Sequence, residues 1–213
     1  GKLYVWGESK DRLTKTNLKK IPDVVQKEGV AFAAAGKDHI LAITKTGKIV
    51  GWGDNSRGQY GTQPILNALP MPTELVGGVN PNEVASLSCG YQASALLLKN
   101  GKCYAWGNVN AVKNLADFHN AEGIEKLVFT GSVAVALTKE GRISTGKEDV
   151  FHAAVSAKNG RQNDFNAYMV GRKVREIATD NKCIALICDD GELVVAGAFE
   201  NGEDHLPALQ EGE

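Results

Sequence analysis

A short phrase of glycine, a charged residue and apolar residues recurs along the chain at intervals of roughly 40 to 54 residues. Its three clear copies end in Trp-Gly and span Gly1–Gly7, Gly47–Gly53 and Gly101–Gly107. Two worn copies follow at Gly141–Gly146 and Gly191–Gly197. Repetition at this interval is typical of arrays in which each unit is one small sheet. The sequence therefore predicts a repetitive scaffold rather than a fold built around one catalytic cleft.

Each later copy of the phrase follows an apolar strand that ends in a turn dipeptide. The dipeptides are Thr46-Gly47, Asn100-Gly101, Glu140-Gly141 and Asp190-Gly191. Asn-Gly and Asp-Gly are strong hairpin signals, because type I′ turns require positive φ at both central positions. The flanks read as strands, as where Ile40–Thr44 precedes Ile49–Trp52. We therefore predict a hairpin at each dipeptide.

A further strand precedes each hairpin. These strands begin at Val30, Val84, Ile124 and Val174. Alanine and glycine crowd the first two, and small side chains suit strands packed near a narrow axis. The prediction is an all-β, propeller-like array of about four to five small antiparallel sheets, closed into a ring or left as an arc. We treat residues 1–213 as one domain with units of approximately 1–46, 47–100, 101–140, 141–190 and 191–213.

The composition of the chain indicates the cellular compartment of this array. No apolar run approaches the roughly 18 residues that a membrane span requires, and the first residues form a strand phrase rather than a signal peptide. The four cysteines form no CxxC pair and have no histidines at metal-ligand spacing. We expect reduced cysteines in strands and hence a cytoplasmic protein, with a nuclear or virion-associated location as the alternative.

Charge is distributed unevenly, although the net charge is only −1. Residues 1–50 are rich in lysine, whereas residues 189–213 contain acidic residues and no lysine or arginine. In a closed ring these two segments become neighbours of opposite charge. We favour this explanation of the charge distribution over nucleic-acid binding. If the array stays open, its opening strand Leu3–Trp6 lacks a hairpin partner, and exposed strand edges favour a homo-oligomer.

Two stretches carry a family resemblance. Gly51–Gly61 and Ala33–Thr44 resemble the signature of the regulator-of-chromosome-condensation repeat family, strongly in the second unit and weakly in the last two. The resemblance implies a β-propeller of four-stranded blades. Members of the family carry about seven blades, within the usual range for propellers, whereas this chain has room for roughly four. It also implies that His39 has a structural role, with a side-chain bond that ties adjacent strands.

No catalytic set, cofactor site or metal site is predicted. The glycines of Gly51–Gly58 do not lead into a helix, as a phosphate-binding loop requires. We expect the polar side chains of this loop to bond backbone groups and fix its shape; they are Asp54, Asn55, Ser56 and Gln59. None of the four histidines has a nucleophile and a carboxylate placed beside it by a readable motif.

The insertion between Gly146 and Gly171 is the predicted partner surface. We expect a short helix after Asp149, which reads as its N-cap, with Ala153 and Ala154 following. Aromatic and arginine side chains dominate binding hot spots, so the candidate partner-binding residues are Phe151, His152, Arg161, Phe165, Tyr168 and Arg172. The alternative is that these aromatics only anchor a long loop to its sheet. The basic stretch Lys10–Lys20 is a second candidate and otherwise a solvated loop.

The sequence therefore favours a non-catalytic scaffold that binds a protein partner through its loops. The alternatives are guanine-nucleotide exchange on a small GTPase, which the name-giving family member performs, and inhibition of an enzyme. A structural virion or chromatin component is a further alternative. No wedge residue for nucleotide exchange can be matched in this chain.

Overall fold

The described residues form an array of four antiparallel sheets that follow one another along the chain. The computed structural model describes residues 1–6, 20–61, 68–108, 123–131, 133–144, 154–156, 163–164, 171–179 and 183–197. Each sheet contains three consecutive strands connected as a meander. The predicted all-β, propeller-like array of about four to five small antiparallel sheets is confirmed, with four sheets among the described residues.

The strands are distributed over the sheets as follows. Sheet one contains β1 (Val30–Ala35), β2 (His39–Thr44) and β3 (Ile49–Gly53). Sheet two has the order β4-β7-β6-β5, with β4 (Ala68–Leu69), β5 (Val84–Cys89), β6 (Ala93–Leu98) and β7 (Cys103–Asn108). Sheet three contains β8 (Ile124–Thr130), β9 (Val133–Thr138) and β10 (Ile143–Ser144). Sheet four has the order β12-β11-β15-β14-β13, with β11 (Ala154–Ser156), β12 (Asn163–Asp164), β13 (Val174–Thr179), β14 (Cys183–Cys188) and β15 (Leu193–Gly197).

The helices of the described residues are short; the first precedes sheet one, and the other two lie between β4 and β5 of sheet two. They are α1 (Asp23–Glu28), α2 (Thr73–Val76) and one 3₁₀ turn (Pro81–Glu83). Each α-helix follows a proline and buries one aliphatic side chain, Val25 in α1 and Leu75 in α2. Among the residues described, no helix is long and apolar enough to cross a membrane.

The same hairpin connects the second and third strands of every sheet. In sheet one the N–H of Gly47 donates to Thr44 O (3.0 Å) and the N–H of Thr44 donates to Lys48 O (2.9 Å). The equivalent bonds recur at Gly101, Gly141 and Gly191. The predicted hairpins are confirmed, but the predicted turn type is wrong. Glycine is the fourth residue of the turn, with positive φ, in the three-residue connection that ends in a glycine bulge rather than in a two-residue type I′ turn.

A β-bulge recurs at the start of the first strand of every sheet. The register shifts between Val30 and Phe32 in sheet one and between Val84 and Ser86 in sheet two. Sheets three and four shift at the equivalent places, next to Glu125 and Arg175. A bulge bends its strand and increases the local twist. All four sheets therefore have the same curvature device, including the two whose repeat phrase has decayed.

Apolar clusters lie between successive sheets. Leu41 and Ile43 of sheet one pack with Leu96 and Trp106 of sheet two. A second cluster joins sheets two and three, and a third joins sheets three and four. The first strands of the four sheets contact one another in order. In β1 the exposed positions are alanines, as expected for a strand at the inner edge of the array.

Residues 1–6 do not form the predicted opening strand. They belong to no sheet, because the described residues provide no strand to pair with them. Gly1 nevertheless bonds sheet one, since its carbonyl accepts from Val30 N–H (3.1 Å) and its amino group donates to Val30 O (3.1 Å). Leu3 and Val5 pack against the cluster that contains Trp52.

The outer strands of sheets two and four precede the meander to which they belong. β4 pairs with β7, and β11 pairs with β15. The predicted helix around Ala153 and Ala154 is wrong at Ala154, which begins strand β11; residues 149–153 lie outside the described residues. Pairing of Val155 with Ala196 on β15 outweighs a weak helical preference, because strand formation depends mainly on neighbouring strands.

Candidate partner-binding surface

One end of the array is built from connections that rest on one another. We call it the loop end; it contains residues 36–38, 54–61 and 90–92, and Gly131. The N–H of Lys37 donates to Gly90 O (3.3 Å), and the N–H of Tyr91 donates to Gly131 O (2.8 Å). A Cβ at Gly36 would collide with Gly90 O, and one at Gly90 would lie 2.7 Å from Gly131 O. Glycine is therefore required for successive sheets to approach this closely.

Lys37 and Tyr91 are the adjacent side chains of two consecutive connections at the loop end. The Lys37 ammonium lies 5.0 Å from the centroid of the Tyr91 ring, within the range of a cation–π contact. Lys37 is 54% exposed and also lies 4.0 Å from the Asp38 carboxylate, whereas Tyr91 is half-buried. The loop end thus presents a cation and an aromatic ring at positions set by backbone bonds.

The glycine-rich loop after β3 is fixed by its own polar side chains. Asp54 accepts from Ser56 N–H (2.9 Å), Asn55 from Tyr60 N–H (3.0 Å) and Gln59 from Arg57 N–H (2.8 Å). The prediction of backbone bonding is confirmed for these three acceptors. It is wrong in detail for Ser56, whose hydroxyl donates to the Asp54 carboxylate (3.1 Å). This leaves Ser56 and Arg57 exposed on a preorganised loop.

His39 joins two sheets rather than two strands of one sheet. Its Nε2 lies 3.0 Å from Ser94 Oγ on β6, and Ser94 Oγ donates to Gln59 O (2.7 Å). Because the serine hydrogen is used on Gln59, His39 Nε2–H is the donor to Ser94. Burial lowers the pKa of His39 to about 4, against the opposing attraction of Asp54. The pair is therefore arranged as a structural tie and not as a base that activates a serine nucleophile.

The cysteines lie in strands and carry no disulfide. Burial raises the pKa of both Cys89 and Cys103 to about 12, so these two thiols stay protonated at neutral pH. Protonated thiols are poor nucleophiles and poor metal ligands. No group of three or more His, Cys, Asp or Glu side chains within the described ranges is arranged to hold a metal ion.

Only one of the predicted partner-binding residues falls within the described residues. Phe151, His152, Arg161, Phe165 and Tyr168 lie outside them. Arg172 lies beside the hairpin turn of sheet four, at the opposite end of the strands from the loop end. Its guanidinium forms ion pairs with Glu192 and, at 3.5 Å, with Asp190. Its role in partner binding stays a prediction.

Sequence reasoning did not assign Lys37 and Tyr91 to a binding surface. Each residue directly follows a glycine that ends a small-residue strand, at Gly36 and Gly90. This shared position is a signal that could have placed the two side chains side by side. Their contact also depends on the spacing between sheets, which the sequence does not state.

Comparisons with known proteins agree with this geometry. The family model described as "Regulator of chromosome condensation (RCC1) repeat" matches residues 30–59 and 84–111, which contain β1–β3 and β5–β7. The chain is 34% identical over 110 residues to Rho GTPase-activating protein gacGG of Dictyostelium discoideum, covering 51% of this chain and 8% of that protein. It is 30% identical over 113 residues to Protein RCC2 of Mus musculus, covering 50% of this chain and 21% of that protein.

A solved structure shares the arrangement of the sheets. The crystal structure of human WBSCR16 matches with a TM-score of 0.54 at 18% identity, covering 79% of this chain and 47% of that one. At this identity the likeness concerns the fold alone. The chain matches about half of that structure and less than a quarter of the two relatives. The repeat matches show RCC1-type repeats in sheets one and two, and the recurrent bulge and hairpin and the propeller-like succession of sheets show a β-propeller-like fold.

Proposed function

We propose that the chain is an interaction module without catalytic activity of its own, and that it binds a protein partner through the loop end. The observation that carries the proposal is the pairing of Lys37 with Tyr91 across two sheets, held by backbone bonds from each connection to the next. Neither side chain is part of an apolar cluster between sheets. Both are therefore available to a partner.

Preorganisation supports this role. A surface whose side chains are already held in place loses little conformational entropy on binding, which raises affinity for a given contact area. Tyrosine and arginine are enriched among the residues that dominate binding energy. At the loop end Tyr91 and the exposed Arg57 are the residues of this kind. The buried polar network of His39, Ser94 and Gln59 lies beneath them and keeps the loop rigid.

The predicted surface in residues 147–170, together with Arg172, is a second candidate for the same function. Arg172 lies at the opposite end of the strands from the loop end, so a partner bound at the loop end would not contact it. We propose the cytoplasm as the compartment, supported by cysteines that form no disulfide. A second copy of the chain is one candidate partner.

The test is affinity capture from the source cell with quantitative mass spectrometry. We expect Lys37→Glu combined with Tyr91→Ala to lose the specific partner, because the variant removes both the cation and the ring. The matched control is Lys99→Glu combined with Lys139→Glu, which changes exposed lysines at the hairpin ends of sheets two and three. Undiminished capture by the loop-end variant, with loss in Phe151→Ala combined with Arg161→Glu, would move the site to the insertion.

Nucleotide exchange on a small GTPase is the second candidate function. One relative of this chain is named as a Rho GTPase-activating protein, a name that concerns GTP hydrolysis rather than exchange, and the match covers only 8% of that protein. A nucleotide-release assay with a panel of GTPases decides the matter. We expect no acceleration at micromolar protein, and acceleration would replace the scaffold proposal. Retention on DNA at physiological salt would instead favour a chromatin component.

A further inference from the structure

Both ends of the array carry apolar surface that no described residue covers. At the start, Tyr4 is 71% and Trp6 is 85% exposed. At the other end, the face of sheet four that points away from sheet three is half-buried at Ala185 and Ile187, and its Leu193 is 36% exposed. Aromatic side chains at this level of exposure are typical of an interface rather than of an isolated surface.

Inside the chain, the equivalent side chains cover each other. The phrase that contains Tyr4 and Trp6 aligns with the one that contains Tyr104 and Trp106, which are 6% and 0% exposed. Sheet one buries this second pair with the side chains Leu41, Ile43 and Ile49.

The strand registers identify the positions in sheet four that correspond to those three residues. Ile43 pairs with Ile49 in sheet one, as Ile187 pairs with Leu193 in sheet four. Leu41 lies two residues before Ile43, as Ala185 lies two before Ile187. The open surface of sheet four therefore has the composition and spacing of the face that covers Tyr104 and Trp106.

The first six residues already lie where the third strand of a preceding unit would lie. Val30 N–H donates to Gly1 O at 3.1 Å, as Val174 N–H donates to Gly141 O at 2.8 Å in the junction between sheets three and four. Leu3 and Val5 face sheet one and pack with its cluster. Tyr4 and Trp6 alternate with Leu3 and Val5 and therefore point away from sheet one, towards the position of a preceding sheet.

The described part of the array does not cover these residues with its own last sheet. The arc superimposes on 47% of a longer solved chain, so an arrangement of this kind can extend to about twice the length of the matched part. Charge at the two ends is also complementary. Lys2 is exposed at the hairpin end of the opening segment, and Asp189 is exposed at the hairpin end of sheet four.

We propose that a second copy of the chain occupies this edge. Sheet four of one copy covers Tyr4 and Trp6 of the other through Ala185, Ile187 and Leu193, and the two copies complete one ring with two equivalent junctions. Such a head-to-tail contact closes when the rotation that it imposes returns to the first copy. The contact uses the open ends of the array and not the loop end, so it does not rest on the function proposed above.

Light scattering after size exclusion, over a concentration series, tests the contact. We expect a mass of twice 22.7 kDa for the unmodified chain. Trp6→Glu and Leu193→Lys should each weaken the dimer about 100-fold, as changes at interface hot spots do. The matched control is Val76→Glu, since Val76 is a 68% exposed aliphatic residue on α2, away from both open surfaces. This control should dimerise like the unmodified chain.

Mixing the two variants gives a sharper result. A dimer of one Trp6→Glu copy and one Leu193→Lys copy has one unmodified junction and one junction that carries both substitutions. That second junction would carry one introduced carboxylate and one introduced ammonium, which are opposite charges within the same contact, so we expect dimers to return on mixing. If Leu193→Lys does not fold, Trp6→Glu decides alone, because Trp6 lies outside all sheets. A monomer at every concentration, a dimer indifferent to Trp6→Glu, or a mass beyond two copies would overturn the proposal.

Discussion

Sheets one and two differ from sheets three and four in sequence far more than in structure. The RCC1 repeat model matches the first pair and neither of the second. The first pair contains Trp52 and Trp106 in its third strands, whereas sheet three has Ser144 at the position of Tyr104 and sheet four has Ala196 at that of Trp106. All four sheets nevertheless share the hairpin bonds and the bulge.

This difference distinguishes the residues that form each sheet from the residues that fill the junction between one sheet and the next. Alternating apolar residues, a turn glycine and a bulge are present in every unit and are sufficient for the three-stranded meander. The tryptophans instead fill the junction on the preceding side of their sheet, as Trp106 does between sheets one and two. The repeat model correspondingly matches the two sheets that contain tryptophan and neither of the two that lack it.

The largest effect that would sharpen this comparison is expected from Trp106→Ala. Trp106 is fully buried, and its indole N–H has no partner among the described residues, so the loss is one of packing. We expect the free energy of unfolding to fall by about 3–5 kcal/mol with the strand content retained. Urea unfolding followed by circular dichroism measures both. Val76→Ala is the control, because Val76 is 68% exposed and should change stability by less than about 0.5 kcal/mol; loss of the sheets in Trp106→Ala would break the comparison.

Acid should destabilise sheet one through His39, where sheet two has Ala93 at the same position. Burial lowers the pKa of His39 from 6.5 to about 4. Between these values the unfolded chain takes up a proton that the folded chain refuses, so stability present above about pH 6.5 is lost as the pH falls towards 4. The loss should approach about 3 kcal/mol.

Urea unfolding at several pH values checks this expectation. His39→Gln should have lower stability at neutral pH but should lack the histidine part of the pH dependence. The difference between the two proteins isolates His39 from the carboxylates, which also titrate on acidification. Parallel pH profiles for the unmodified chain and His39→Gln would show that the buried imidazole is not responsible.

A smaller effect is expected from Gly36→Ala at the contact between sheets one and two. The added methyl group would collide with Gly90 O and the His39 ring, so the two sheets must separate slightly. Overpacking of this kind costs about 1–3 kcal/mol. Gly77→Ala is the control, because a Cβ there meets nothing within 4 Å and φ is −79°. Equal melting temperatures for the two variants would contradict the close approach of the sheets.

The smallest effect concerns an ion pair whose charges are reversed between the two ends of the array. Glu28 pairs with Lys48 beside sheet one, and Arg172 pairs with Glu192 at the equivalent positions beside sheet four. Glu28→Arg and Lys48→Glu should each lower the unfolding midpoint less than Gly36→Ala, since exposed pairs contribute little. The double variant, which installs the polarity of sheet four, should restore the midpoint. No recovery in the double variant would mean that the pairing is incidental.

The strands were predictable because their pattern is local. Strand starts at Val30, Val84, Ile124 and Val174 and the hairpin glycines follow from alternation and turn chemistry. The turn type was not predictable, because Asn100-Gly101 suits both a two-residue turn and the three-residue connection that is observed. Cross-strand pairing decides between the two. Strand β11 was missed for the same reason, since Ala154–Ser156 is a strand only beside β15.

The candidate surface was less predictable than the fold. The contact between Lys37 and Tyr91 joins residues 54 positions apart and depends on the spacing of two sheets. The insertion attracted attention because its aromatic and arginine residues are explicit in the sequence. A surface made by single residues from successive repeats has no such local density, so it emerges only when the repeats are stacked.

Within the described residues, each apolar cluster between sheets joins one sheet to the next and none spans three. Cooperativity in such an arrangement is transmitted only between adjacent units, as in a one-dimensional chain of coupled spins. Denaturation should then begin at the termini and progress inward, with the central junctions the last to melt. Evolution can consequently lengthen or shorten such a protein by whole modules, since each addition or deletion alters a single internal boundary.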